Sequence, residues 1–298
     1  SMNSVKKRNL FLLVISVLIL VLVVISVAVA MRGPRTSPVE VVSKGKDGTL
    51  LIDDLNDGKM TIPDFDIPTS SYDIDKFTEK DGIITYENGQ SALGINVNQN
   101  RGDIDWVKVK ESGVEFAMIR VGYRSFKTGL ITPDSKFEEN MKGAKEAGVD
   151  IGVYFFSQAV TDAEAEEEAS FVLQQIQGYQ VTYPIAFDWE FAIKDDGSIN
   201  EDSRTVNCTG EQITGFVDAF CKKIKKSGMT ACYYADKAMG YEKLDLSRLS
   251  GYDLWYAEYQ KAPSFHYDFK IWQYTSNGEV PGISGKVPIN IALKSYGS

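Results

Sequence analysis

The strand-like run Tyr183-Pro184-Ile185-Ala186-Phe187-Asp188-Trp189-Glu190 ends in two carboxylates separated by one residue. Alternate residues of a strand face the same side, so Asp188 and Glu190 are presented together. Two acids crowded at an apolar strand end repel each other. One then holds its proton to higher pH while the other stays ionised. A proton donor beside an anionic stabiliser is what cleavage of a glycosidic bond requires. Alone, the Asp-x-Glu pattern also suits a solvated strand end or a metal site, so its surroundings decide its meaning.

Those surroundings are aromatic. Tyr154, Phe155, Tyr233, Tyr234, Trp255, Tyr259, Trp272 and Tyr274 lie in or beside strand-like runs. Phe155 reads as core, whereas Trp and Tyr at strand ends, with an apolar ring and a polar tip, are platforms for sugar rings. Arg120 closes the run Phe116-Ala117-Met118-Ile119-Arg120. Burying it without an acid is costly, so it serves either a structural ion pair or an active site. Cys208, Cys221 and Cys232 lack zinc-site spacing and read as small buried hydrophobes. A nucleophilic Ser/His or Cys/His machine would depend on the single histidine, His266. It lies in the loop-like stretch Ser264-Phe265-His266-Tyr267, with no G-x-S-x-G elbow to accompany it.

The elements that must hold these residues alternate. Apolar strand-like runs occur at 93–97, 115–121, 150–156, 183–188, 229–234, 253–258, 269–274 and 287–292. Helix-like segments separate the early ones: Ile104–Lys110, Phe137–Ala147, Ala163–Gln177 and Glu211–Lys226. Thr161-Asp162 caps the third of these helices, which carries Ala165, Ala169, Phe171, Val172 and Ile176 at helical spacing. Such alternation predicts an α/β fold, a mostly parallel sheet with helices outside, open or closed into a barrel. Helical patterns fade after residue 240, so a closed barrel would finish with nearly bare strands. In either form chemistry gathers at strand ends.

Charge and hydropathy divide the chain. Ser1 ahead of Met2 reads as a tag remnant. Residues 1–9 carry Lys6, Lys7 and Arg8, and the uncharged run from Leu10 to Met31 is long enough to span a ~30 Å hydrocarbon layer. The positive-inside rule makes 1–9 a cytoplasmic tail, 10–31 a transmembrane anchor and the remainder extracytoplasmic. Ala28-Val29-Ala30 resembles a signal-cleavage site, but a signal core is only ~7–15 residues. Residues 32–77, rich in Pro, Gly, Ser, Thr and Asp, read as a spacer, and 78–92 as a small hairpin turning at Glu87-Asn88-Gly89. Beyond residue 35 there are 27 basic against 41 acidic residues, a net charge of −14. That balance argues against non-specific nucleic-acid binding.

A resemblance sharpens this reading. Gly94-Ile95-Asn96-Val97 followed by Gly102-Asp103-Ile104-Asp105-Trp106 resembles the opening of the family 25 glycoside hydrolases, the Chalaropsis-type lysozymes. Phe116–Arg120, Gly152-Val153-Tyr154-Phe155, Phe187-Asp188-Trp189-Glu190, Leu254-Trp255-Tyr256-Ala257 and Ile271-Trp272-Gln273-Tyr274 follow in family order, so the resemblance covers 93–298. It implies a flattened TIM-like (β/α)5(β)3 barrel that cleaves the β-1,4 bond between N-acetylmuramic acid and N-acetylglucosamine in peptidoglycan. Glu190 would be the acid and then the base. Asp188 would orient the substrate's own N-acetyl group, a substrate-assisted route outside the usual two-carboxylate scheme. Asn96, Arg120, Tyr154, Tyr234, Trp255, Trp272, Tyr274 and Asn290 would bind the glycan. No metal or organic cofactor is implied.

Two positions depart from the family pattern. The first strand usually reads Gly-Ile-Asp-Val, and here Asn96 replaces the acid. The last usually carries Asp two residues before an Asn, and here Pro288 precedes Asn290. Asn96 can hydrogen-bond but cannot carry charge, and Pro288 offers neither side-chain acceptor nor backbone donor. Fewer neighbouring charges should lower the pKa of Glu190. The alternative to a hydrolase is therefore a catalytically degenerate wall-glycan-binding or scaffolding module of the same fold. Either would gain from tethering, because an outer region this acidic is repelled by anionic wall polymers.

Overall fold

The computed structural model describes residues 2–31 and 35–297. Helix α1 (Met2–Met31) belongs to a unit of its own, Ser1–Thr36. Within it Asn9–Val27 is long and apolar enough to cross a membrane, a property that signal sequences share.

The second unit, Ser37–Ser298, begins where a spacer is expected, and there the structure corrects the sequence reading. Strands β1 (Val39–Lys44), β2 (Thr49–Asp54) and β3 (Gly58–Pro63) form an antiparallel sheet. Leu50, Ile52 and Ile62 from it enter the main hydrophobic core. The period-two signal was present but brief, Leu50 and Ile52 alternating with less buried neighbours over a six-residue strand. The chain then runs along the barrel edge. Ser70 N–H donates to His266 O, Asp268 N–H to Pro68 O, and Tyr72 Oη to Phe269 O. His266 is thereby engaged with this strap, and burial lowers its pKa. Strands β4 (Phe77–Lys80) and β5 (Ile83–Tyr86) make the hairpin, but it turns at Asp81-Gly82, both at positive φ (54° and 77°), and not at Glu87–Gly89. Asp-Gly is a strong two-residue turn signal because both positions tolerate left-handed backbone. Residues 92 onward already belong to the barrel.

The barrel strands are β6 (Ala92–Val97), β7 (Phe116–Arg124), β9 (Asp150–Ser157), β10 (Ile185–Trp189), β11 (Ala231–Asp236), β12 (Asp253–Ala257), β13 (Ile271–Gly278) and β14 (Val287–Ala292), with β8 (Ile131–Pro133) paired outside β7. From β6 to β13 neighbours are parallel; β14 runs antiparallel to both β13 and β6 and closes the ring. Helices α2 (Trp106–Glu111), α3 (Phe137–Ala147), α4 (Asp162–Gln175) and α5 (Gly210–Lys226) supply four crossovers. The fifth is only a π-turn at Met239–Lys243 and a 3-10 turn at Leu246–Arg248, in line with the fading helical pattern. Capping sets the helix starts. Thr161 accepts from Glu164 N–H, and Thr209 and Gln212 form a reciprocal box. Helix α5 buries Ile213, Phe216, Val217, Phe220 and Ile224, one stripe at helical period. Ala92, Phe116, Met118, Tyr154, Ala186, Cys232, Trp255, Ile271 and Ala292 fill the barrel interior. All three cysteines are free thiols, and Cys221 and Cys232 are fully buried.

One buried acid in the helical layer carries a pH signature. Glu168 on α4 is inaccessible; its carboxylate accepts from Ser157 Oγ at 3.0 Å and lies 3.7 Å from Arg124 Nε. Its Oε1 has no hydrogen-bond partner. Burial pushes its pKa from an ordinary 4.5 up to about 8, with Ser157 and Arg124 pulling the other way. The folded state therefore binds a proton that the unfolded state releases above its own pKa. Stability contributed here is full below about pH 4.5 and is lost as pH rises through about 8. Glu168→Gln should flatten this dependence, so thermal unfolding at pH 5 and pH 9 should show the variant gaining on wild type at the higher pH.

Candidate active site

Alternation along each strand decides which side chains meet at the barrel mouth. Strands β6, β7, β9, β10 and β11 bring Asn96, Arg120, Tyr154, Asp188 and Tyr234, from their middles to their C-terminal ends, to one cleft of about 300 Å3. Glu190, Trp255, Tyr259, Gln273, Asn98, Phe156 and Pro288 complete its lining. Of the residues expected to bind glycan, Asn96, Arg120, Tyr154, Tyr234 and Trp255 are in this cleft. Asn290 is fully buried one layer beneath. It accepts from Trp255 Nε1 at 2.8 Å and donates to Asn96 Oδ1 at 3.1 Å.

Trp272 and Tyr274 are not in the cleft. Gln273 points inward, so its neighbours point out. Trp272 Nε1 donates to Glu258 O and its ring meets Phe77, while Tyr274 Oη bonds the hairpin backbone at Gly82 and Ile84. Gln273 is among the cleft residues that the sequence did not point to. It donates to Asn96 Oδ1 at 2.9 Å and accepts from Tyr234 Oη at 2.9 Å and Tyr259 Oη at 2.7 Å. An uncharged polar network thus stands where the family pattern has acids. Both contacts to Asn96 Oδ1 come from donors, so an aspartate at this position would keep them.

Arg120 makes the structural ion pair and also lines the cleft. Its Nε bonds Asp134 Oδ2 at 2.8 Å, and Asp134 is held by the backbone N–H groups of Gln99 and Lys136. The guanidinium also lies over Tyr123 at 4.8 Å and draws the Asp188 pKa down. Asp134 was the acid that a buried arginine demands.

Asp188 is almost wholly buried, and its Oδ1 has no hydrogen-bond partner; Glu190 keeps an exposed edge although protein surrounds its carboxyl. Both carboxyls line the same cleft. Burial raises Asp188 well above the usual carboxylate range, and the neighbouring Glu190 charge adds to the effect. Burial also raises Glu190, the neighbouring Asp188 opposes this, and the charge of Asp236 supports it. Both carboxyls therefore keep a proton to higher pH than isolated ones do. Burial is the largest influence on Glu190.

The end of β10 is clasped from behind. Trp189 Nε1 donates to Ala159 O at 2.9 Å, and Gln158 Nε2 donates to Glu190 O at 2.5 Å. Gln158 is buried, with Thr205 Oγ1 donating to its Oε1 at 3.0 Å. Gln158→Leu would leave the Glu190 carbonyl unpaired and the Thr205 hydroxyl with only its 3.4 Å bond to Ser203 Oγ, at a stability cost of about 2 kcal/mol. By freeing the backbone that aims Glu190, it should also lower kcat roughly 10- to 100-fold with less change in KM. Denaturant titration and steady-state kinetics would check the two effects.

A closed α/β barrel carrying a paired Asp and Glu at its mouth defines a class, and residues 95–283 match glycosyl hydrolases family 25. The chain belongs to that family. It is 29% identical over 198 residues to the autolytic lysozyme of Clostridium acetobutylicum, covering 66% of this chain and 54% of that protein. It is 25% identical over 207 residues to the uncharacterized protein YegX of Escherichia coli K12, covering 66% and 68%. The chain thus spans about half the length of the autolytic lysozyme. Among solved structures, the modular autolysin LytC of Streptococcus pneumoniae superposes with a TM-score of 0.59 at 20% identity, covering 83% of this chain and 57% of that one. The bacterial lysozyme of Streptomyces coelicolor gives 0.54 at 21% identity, covering 70% and 94%. Both likenesses show the shared fold.

Proposed function

We propose that this protein is an extracytoplasmic peptidoglycan hydrolase that cleaves the β-1,4 bond between N-acetylmuramic acid and N-acetylglucosamine. The observation that carries this reading is the placement of a buried Asp188 and of Glu190, two residues on, in one polar, aromatic cleft at the barrel mouth. Similarity to an autolytic lysozyme supports it. Glu190, at the open edge, gives its proton to the glycosidic oxygen as the bond to the leaving sugar breaks. Asp188, deeper, accepts a hydrogen bond from the N-acetyl N–H, so that the acetyl oxygen is aimed at the anomeric carbon. Glu190, now ionised, takes a proton from the water that opens the resulting ring. Asn96, Arg120, Tyr154, Tyr234 and Trp255 line the path of the sugar.

Helix α1 serves in this reading as a retained single-pass anchor, with Lys6, Lys7 and Arg8 keeping the N-terminus in the cytoplasm. Protease added to intact protoplasts should remove the barrel and leave a membrane-bound stub; release of an intact barrel without protease would instead indicate signal cleavage.

A second reading, a wall-glycan-binding module without catalysis, is favoured by the uncharged Asn96 and Pro288 at the cleft. Suspended peptidoglycan separates the two. A hydrolase lowers its turbidity, whereas a binding module sediments with it and leaves the turbidity unchanged.

A further inference from the structure

Near Glu190 the sequence lacks two acids, and the structure places another carboxylate on a different strand. The parallel register of β10 and β11 sets Asp188 beside Tyr234. In each case the chain runs two residues further, Asp236 ending β11 and Glu190 leaving β10 just past Trp189. Both line one cavity of about 500 Å3 that adjoins the cleft through Glu190, Tyr234 and Tyr259. We propose that Asp236 is a positioning residue of the site, supplying from β11 the negative charge that Asn96 and Pro288 do not supply, and so holding the proton on Glu190. The inference rests on the reading of Glu190 as proton donor.

The neighbouring charges leave this task to Asp236. Lys237, next in the chain, is turned away into a cluster with Asp54, Asp57 and Glu258. That cluster also ties up Glu258, which shares the cavity with Glu190. Lys243 lies over the Phe191 ring at 5.9 Å, and Glu242 sits beside it on the cavity wall. On the opposite side Arg120 is bound to Asp134 and acts on Asp188, and the hydroxyls of Tyr234 and Tyr259 are spent on Gln273. Among the described residues Asp236 has no ion-pair partner. Its Oδ1 accepts from Met239 N–H at 2.8 Å, which fixes the carboxylate at the strand end. A fixed, unneutralised carboxylate near Glu190 disfavours a second negative charge there. Its field on Glu190 acts in that direction.

A bland role exists, since Asp236 also caps the turn at Met239–Lys243. Asp236→Asn separates the two roles because the amide oxygen keeps the cap and loses the charge. The test is a carboxyl 13C NMR titration of the full chain in detergent with labelled glutamate, the Glu190 signal being assigned by its loss in Glu190→Gln. The midpoint of Glu190 should fall in Asp236→Asn and rise again in Asp236→Asn/Asn96→Asp, which returns one charge from β6. In parallel, the alkaline limb of kcat/KM should move to lower pH in the single variant and back in the double. An unmoved or raised midpoint in Asp236→Asn overturns the proposal. A lowered midpoint with no cleavage by any form, wild type included, upholds the role of Asp236 and defeats the hydrolase reading.

Discussion

Glu190→Gln is expected to abolish peptidoglycan cleavage, with a fall in kcat of at least ~10³-fold, while leaving the fold intact or slightly more stable. The loss follows from chemistry, since an amide has no proton to give the leaving oxygen and no basicity to activate water. The stability side follows from the pair. Two carboxyls share a site that burial makes unfavourable for charge, and Asp188 Oδ1 is already without a partner. Removing one ionisable member relieves that repulsion, as expected where a site trades stability for function. A variant that loses activity because it unfolds would contradict this, so Tm and rate should be measured on the same preparation.

Lys237→Met is expected to have the largest effect on folding. The Lys237 ammonium lies 2.9 Å from Asp54, 2.5 Å from Asp57 and 3.0 Å from Glu258, and also donates to Ser264 Oγ. Asp54 and Glu258 are almost wholly buried. Burial favours loss of the Lys237 proton, yet the attraction of Glu258 and the bonds to Asp57 and Asp54 outweigh it and raise its pKa. Without the cation three carboxylates face one another. Breaking such a cluster costs about 3–5 kcal/mol, a Tm drop on the order of 10 °C. Adding Asp54→Asn should recover part of it. The cluster also joins the loop after β2 to the ends of β11 and β12, so the residues expected to be a spacer help hold the wall of the cleft. An unchanged Tm in Lys237→Met would mean that the cluster carries no net stability.

How much of this was legible depended on range along the chain. Every barrel strand was visible as an apolar run, because strands buried on both faces need no partner to announce themselves. The Asp188–Glu190 pair was visible for a related reason, since two residues two apart on a strand must share a face. Errors came from single-residue register and from distant partners. Trp272 and Tyr274 were assigned to the cleft and Gln273 was not, a choice of face that local sequence cannot make for a run apolar on both sides. Tyr259 stood among the aromatics near strand ends but was not singled out. Asp134 and Gln158 act across loops, and only the cost of burying Arg120 foretold the first. The sheet at 39–63 escaped because its strands are buried on one side at most and so show no apolar run, and because Asp54 is balanced by a lysine 183 positions away.

If Asp188 and Glu190 cleave glycan and do not merely sit in a glycan-binding cleft, new glycan ends must appear. The full chain in detergent should be incubated with purified peptidoglycan beside Glu190→Gln, and the soluble products read by mass spectrometry after borohydride reduction. Fragments with reduced N-acetylmuramic acid ends are expected from wild type and none from the variant. Equal amounts of such ends from both, or none from either while both sediment with the glycan, would contradict cleavage by this pair.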